Sequence, residues 1–251
     1  MLSGPLAADD LALLRRAQRD PSLVLLEGMH ALKHAVRFGA TVDVVATPDA
    51  DELARLLARL APDVTLPVVP GDVEDGVWRA LTGGRALPSP CLAVARRPTV
   101  DVAAMLARPA RLLVLEEPRH AGNTGAVVRV AAAAELAGVV VVGTLDPWGA
   151  GVVRAAAGLH FAVDVVHVPD LAALDTLLAA STRPLVALDP DGVPLEDADV
   201  PVDAAVALGT ERGGLSGALR ERASARVAIP MQDGVSSLNL ATAAAVLAYR
   251  P

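Results

Sequence analysis

The sequence predicts an α/β protein, and three observations carry that prediction. Short runs of valine, leucine and alanine recur along the chain, each bounded by glycine, proline or charged residues, which is the pattern of strands. Stretches with helical spacing alternate with them, and such alternation builds a sheet layered with helices. In the second half the strands are apolar at nearly every position, so that sheet is covered on both faces and its strands run parallel.

A chain of 251 residues with 53% apolar content fills one large or two ordinary domains. A change of texture near residue 100 favours two, 1–100 and 105–251. In the first, strands are expected near Leu23–Leu26, Val42–Ala46, Pro67–Val69 and Cys91–Ala95, with helices near Asp10–Gln18, Met29–Phe38, Asp51–Leu60 and Val73–Leu81. The stretch Arg96–Arg111, with two prolines and little strand pattern, reads as a linker. The second domain then runs through strands Arg111–Leu115, Val139–Val142, Val163–Val166, Leu185–Leu188, Ala205–Leu208 and Val227–Ile229, separated by alanine-rich helices.

Composition excludes several classes of function. A net charge of −7 opposes indiscriminate nucleic-acid binding, which needs many cations on phosphates. Residues 1–100 hold 11 Lys+Arg against 12 Asp+Glu, and residues 101–251 hold 11 against 17, so the first domain is the better docking surface for a polyanion. Cys91, the only cysteine, lies in an apolar run and reads as core, so disulfides and cysteine metal sites are excluded. His30 and His34, four apart on a helix, lack a third ligand, and no metal is expected. The opening MLSGPLAADD has neither the basic nor the apolar region of a signal peptide, and no stretch resembles a membrane span. A cytoplasmic protein without membrane attachment is expected.

In covered parallel sheets ligands sit beyond the carboxyl ends of strands. Three segments at such ends are rich in glycine and small polar residues: EEPRHAGNTGAVVR after the first strand of the second domain, LGTERGGLS (Leu208–Ser216) after the fifth, and IPMQDGVSSLNLATAAAVLAY (Ile229–Tyr249) after the last. The run from His120 to Gly138 predicts a helix, with Asn123 or Thr124 as N-cap and Gly138 just past its end. On it Arg129 shares a face with Gly125, Ala126, Ala132 and Ala133, a face nearly without side chains. A guanidinium there is open to a ligand's close approach, although a solubilising arginine that snorkels to water is the alternative. GTERGGLSG looks like a phosphate loop, but no Lys-Ser/Thr follows, so a nucleotide triphosphatase is disfavoured.

In this order and spacing the three segments resemble the motifs of the SpoU/TrmH branch of the SPOUT methyltransferases, over about residues 110–249. The first is Asn123-Thr-Gly125 with Arg129, the second Gly209-Thr-Glu211-Arg-Gly-Gly-Leu-Ser216, and the third Ile229-Pro-Met231 followed by Ser237-Leu-Asn239. Thr210 stands where the family often has asparagine, and His120-Ala121 where it often has an acid or amide followed by proline. The resemblance implies methyl transfer from S-adenosylmethionine to a ribose 2′-hydroxyl of RNA, a homodimer, and a deep trefoil knot that periodicity could not reveal. Ribosomal RNA is the first substrate expected and transfer RNA the second. A non-catalytic RNA-binding or ribosome-assembly factor that kept the fold is the rival. More weakly, Leu25–Ala40 resembles the ribosomal-protein-like α/β domain with which relatives grip RNA.

The resemblance also implies roles. Family accounts often make Arg129 the general base; because a guanidinium keeps its proton, the easier physics is that it grips a neighbouring phosphate, which acts as base, and stabilises the developing 2′-oxyanion. Asn123 would orient Arg129 or the ribose, and Glu211 would pair with an arginine or bond the substrate. Ser237 and Asn239, expected in the first turn of a helix apolar almost all round, would face the ligand. Gly209, Ile229 and Leu238 would enclose the adenine and ribose of the cofactor.

Overall fold

The computed structural model describes residues 4–210 and 213–250. Its first hundred residues supply β1 (Gly4–Pro5), α1 (Ala8–Arg16), β2 (Leu23–Glu27), α2 (Met29–Arg37), β3 (Val42–Thr47), α3 (Ala50–Leu60), β4 (Gly71–Asp72), α4 (Asp75–Thr82) and β5 (Leu92–Arg96). There follow α5 (Val102–Ala107), β6 (Leu112–Glu116), α6 (Ala121–Ala133), β7 (Gly138–Val142), α7 (Ala150–Ala155), a 3-10 turn (Leu159–Phe161), β8 (Val165–Val168) and α8 (Leu171–Leu178). The last are β9 (Leu185–Pro194), β10 (Ala205–Leu208), α9 (Gly217–Arg222), β11 (Ala225–Ala228) and α10 (Leu240–Ala248). They fall into two compact units, Met1–Thr99 with Trp148–Ala162, and Val100–Pro147 with Val163–Pro251.

The first unit is built on a mixed sheet of order β1-β4-β3-β5-β2, in which β5 runs antiparallel to both neighbours. Its helices carry their own end signals. Asp49 accepts from Glu52 N at 2.8 Å to cap α3, and α1 has acids in its first turn and arginines in its last, as the helix dipole favours. Leu14, Leu25, Val44, Leu92 and Val94 meet in its core. The strand expected at Pro67–Val69 does not form; the chain joins the sheet only at Gly71–Asp72, because Pro67 and Pro70 cannot donate to a ladder.

Residues 148–162 belong to this unit through specific chemistry. The Glu27 carboxylate, buried at the end of β2, receives Arg85 at 2.6 Å and also Arg154 of α7. His34 Nδ1 meets the Ala157 carbonyl at 2.7 Å, and the Arg97 guanidinium lies 5.3 Å from the ring centre of Trp148.

The second unit is an all-parallel sheet of order β11-β9-β10-β6-β7-β8. Strands β6, β7 and β10 are buried at every position, as their unbroken apolar sequence requires. The stretch read as a linker contains α5, capped by Asp101, which accepts from Ala104 N at 3.0 Å, and it buries Met105 and Leu106 in the core. Helix α6 starts at Ala121 with His120 as N-cap, so Asn123 lies inside its first turn and is not its cap. Nor does Gly138 end that helix. Glu135 takes the left-handed conformation (φ +53°), whereas Gly138 opens β7, where a Cβ would come 2.9 Å from the Asp164 carbonyl oxygen.

Two buried guanidiniums fasten chain segments by donating to backbone carbonyls. Arg183 donates to the carbonyls of Leu106 (2.8 Å), Ala110 and Asp203 (2.6 Å each) and also to that of Arg108. Arg111 donates to Leu247 (3.1 Å), Arg250 (2.6 Å) and Val200 (3.1 Å), holding the end of α10. Burial pushes both guanidinium pKa values below the ordinary arginine value.

Candidate functional site

A cavity of about 390 Å³ opens beyond the carboxyl ends of β9, β10 and β11, where ligands settle on parallel sheets. Each wall has its own local cause. Strand β9 pairs with β11 through Val186 and Ala187 and again through Val193 and Pro194, so the intervening residues 188–192 loop out and Leu188, Asp189, Pro190 and Asp191 form one wall. After β10 the chain turns back on itself: Thr210 and Gly214 exchange backbone hydrogen bonds of 3.2 and 2.9 Å. A Cβ on Gly209 would lie 2.0 Å from the Gly214 carbonyl carbon, so no side chain can replace that hydrogen.

The turn is fastened from below. Glu116, buried at the end of β6, accepts from Ser216 N (2.7 Å) and Ser216 Oγ (2.5 Å), and Ser216 Oγ accepts from Leu219 N (3.1 Å) to cap α9. The third wall is the irregular stretch after β11, which contributes Ile229, Met231, Ser236, Ser237 and Leu238, closed by Leu240 and Ala243 of α10. The lining is largely apolar and backbone, with a few polar groups, a surface suited to a flat heteroaromatic ring on a sugar.

The residues singled out in the sequence separate into two groups. Gly209, Ile229, Ser237 and Leu238 line the cavity. Asn123 and Asn239 meet beside each other, with Asn239 Nδ2 donating to Asn123 Oδ1 at 3.1 Å, and neither lines it. The expected first turn at Ser237 is corrected: α10 begins at Leu240, Asn239 is its N-cap, accepting from Ala241 N at 2.9 Å, and Ser237 lies upstream of the helix. Arg129 is exposed on α6, on a face shared with exposed Gly122 and Ala133, and does not line the cavity. Glu211 lies outside the described residues. Asp189, Asp191 and Arg220 line the cavity without having been singled out. The only signal for the two aspartates was the Pro-Asp-Gly turn in LDPDG, which follows the expected strand Leu185–Leu188, and Arg220 had none.

No group of three or more His, Cys, Asp or Glu among the described residues is placed to hold a metal ion, and no described helix is long and apolar enough to cross a membrane.

A model of the SpoU rRNA Methylase family matches residues 110–249, the span that holds β6 to α10 and every wall of the cavity. The chain belongs to the SpoU rRNA methylase family. This SpoU chain is 26% identical over 226 residues to the 23S rRNA (guanosine(2553)-2′-O)-methyltransferase RlmP of Bacillus subtilis, covering 90% of the chain and 86% of that relative. It is 32% identical over 170 residues to the 23S rRNA (uridine(2479)-2′-O)-methyltransferase of Streptomyces viridochromogenes, covering 64% of the chain and 59% of the relative. Among solved structures it is similar to the SpoU methyltransferase AviRb of Streptomyces viridochromogenes in complex with the cofactor AdoMet, with a TM-score of 0.80 and 25% identity over 97% of this chain and 96% of that one.

Proposed function

We infer that the protein methylates a ribose 2′-hydroxyl of ribosomal RNA with S-adenosylmethionine as donor. The observation that carries this reading is the cavity itself: all three SpoU motif segments converge on it or on the helix pair beside it, and its glycine turn and apolar walls suit an adenine nucleoside. Backbone groups around Gly209, Ile229 and Leu238 would meet the edges of the base. When bound, the cofactor supplies a methyl on an electrophilic sulfonium. Ribosomal RNA is favoured because both relatives named above act on 23S rRNA.

The chain's own residues would prepare the nucleophile. Asn239, fixed as the cap of α10 and bonded to Asn123, would hold the ribose at the junction of the two helices. Arg129, exposed on a face of small residues, would fork onto a neighbouring phosphate and stabilise negative charge on the 2′-oxygen. Substrate phosphate is then the acceptor of the hydroxyl proton, because the guanidinium stays charged. Ser237 would bond the cofactor or the incoming ribose, and Glu211 an arginine or the RNA.

The assembly reading is a homodimer. Along α10, Thr242, Val246 and Tyr249 fall on one face, and Val246 and Tyr249 are 39% and 65% exposed, an apolar stripe that a second copy would cover. Helix α10 packs along α6, the helix that carries Arg129. The return of the chain after β11 to lay α10 along α6 supports a deep trefoil knot. The first unit would be the ribosomal-protein-like module that docks RNA, and the protein would work in the cytoplasm.

The test is transfer of radiolabelled methyl from S-adenosylmethionine to ribosomal RNA, followed by alkaline hydrolysis. Label in hydrolysis-resistant dinucleotides is expected, because a 2′-O-methyl blocks cleavage. Label in mononucleotides would move the methyl to a base and overturn the reading.

A further inference from the structure

Asp189 is a charged side chain in the cavity wall that no motif explains. It is 3% exposed, and the five-residue loop that carries it is tightly built. Its Oδ1 accepts from Asp191 N at 3.0 Å, and Gly192 closes the loop so near β11 that a Cβ would lie 2.6 Å from Val227 N. Its Oδ2 is buried and accepts no hydrogen bond. The guanidiniums of Arg226 and Arg220 stand 3.6 and 3.7 Å from that oxygen, near enough to neutralise the charge and too far to satisfy the lone pairs. A buried carboxylate oxygen left in this state costs stability unless a ligand completes it.

We infer that Asp189 is a cofactor-binding residue whose Oδ2 accepts a hydrogen bond from the ribose diol of S-adenosylmethionine. The inference rests on the proposed reading of the cavity. Of the cofactor's donors, the α-ammonium is repelled by the two guanidiniums flanking Oδ2. A neutral hydroxyl is not. The exocyclic amine of adenine would, on that reading, meet backbone groups around Gly209, Ile229 and Leu238, whereas a sugar hydroxyl, donor and acceptor at once, fits a carboxylate in the wall beyond a parallel strand. Arg220, which also lines the cavity and is 41% exposed on its side chain, can yield to the sugar without unfolding anything.

The experiment is calorimetric titration of the full chain with two probes, S-adenosylhomocysteine and its 2′,3′-dideoxyribose analogue, on wild type and on Asp189→Asn. The amide keeps the shape and the Oδ1 acceptor of the loop but replaces the Oδ2 acceptor with a donor. Wild type is expected to prefer the hydroxylated probe by about tenfold or more, the ordinary range for a bond to a charged acceptor. In Asp189→Asn that preference should fall to within about threefold, while the dideoxy probe binds as it does to wild type, which also shows the pocket intact. An unchanged preference, or an equal loss for both probes, would overturn the assignment. Failure of wild type to bind either probe would instead overturn the cofactor reading on which it rests.

Discussion

Arg129 is the residue on which the proposed chemistry turns. It stands exposed, with no ion pair among the described residues, on a face of α6 from which larger side chains are missing. If it acts as a fork across a phosphate and the developing oxyanion, a single ammonium cannot replace it although the charge is kept. Arg129→Lys should therefore lose at least about tenfold in single-turnover methyl transfer, more than about 1.4 kcal/mol, with cofactor binding and melting temperature near wild type. A lysine variant within that factor would mark Arg129 as a solubilising residue. Cys91 gives a contrasting case. Burial pushes its thiol up to about 12, so in the folded protein it should resist Ellman's reagent near neutral pH and react fully only in denaturant. Prompt reaction without denaturant would contradict its place in the core.

Single elements are held by a few polar anchors, and these carry measurable consequences. Arg183→Met leaves up to five carbonyls around α5 and the start of β10 short of a donor and should cost about 3 kcal/mol or more in urea unfolding. Ser216→Ala removes the cap of α9 and one of two bonds to Glu116, a loss of about 1–2 kcal/mol that should also weaken cofactor binding, because the motif-two turn hangs from it. In α2, burial, ahead of the opposing bond to Ala157, lowers the pKa of His34 below the ordinary histidine value. The unfolded chain then binds a proton more readily than the folded one. Stability from this group is present above the unfolded value and is lost as pH falls through the folded one. His34→Gln should flatten the decline of melting temperature between about pH 7 and pH 5; an unchanged slope would assign the decline to other groups.

At the scale of the whole molecule, the two compact units part at Thr99 and Val100, near the change of texture, but the first also takes in a later segment. Residues 148–162 lie far along the sequence yet complete the first unit, through Arg154 on Glu27, Ala157 on His34 and Trp148 against Arg97. A fragment of residues 105–251 should therefore keep protected amides in β6 and β7 but exchange rapidly at Val153 and Ala156, which are bonded within that segment. Equal protection at both places would show that the segment folds without residues 1–99. None of these long-range contacts has a local sequence signal. The parallel sheet and two of the three cavity walls, the turn at Gly209 and the stretch from Ile229, were legible, because buried strands must be apolar and because a turn like that at Gly209 admits only glycine. Helix α5 was hidden by the prolines around it, although Asp101 before Val-Ala-Ala is a cap signal. Asp189 was hidden because its burial depends on five residues looping out of β9. Of the basic residues Arg15, Arg16, Arg19, Lys33 and Arg37 of the first unit, Arg16 and Arg37 pair with Asp20 and Asp63, which leaves Arg15, Arg19 and Lys33 as the ones to vary in a test of RNA docking.

The central claim, 2′-O-methylation of ribosomal RNA through these motifs, is tested most directly by mapping 2′-O-methyl groups in total RNA from cells with the gene, without it, and complemented with wild type or Arg129→Lys. The account predicts that one ribosomal RNA ribose loses its methyl on deletion, regains it with the wild-type gene, and does not regain it with the lysine variant. An unchanged methylation map in every RNA after deletion, or full restoration by the lysine variant, would contradict it.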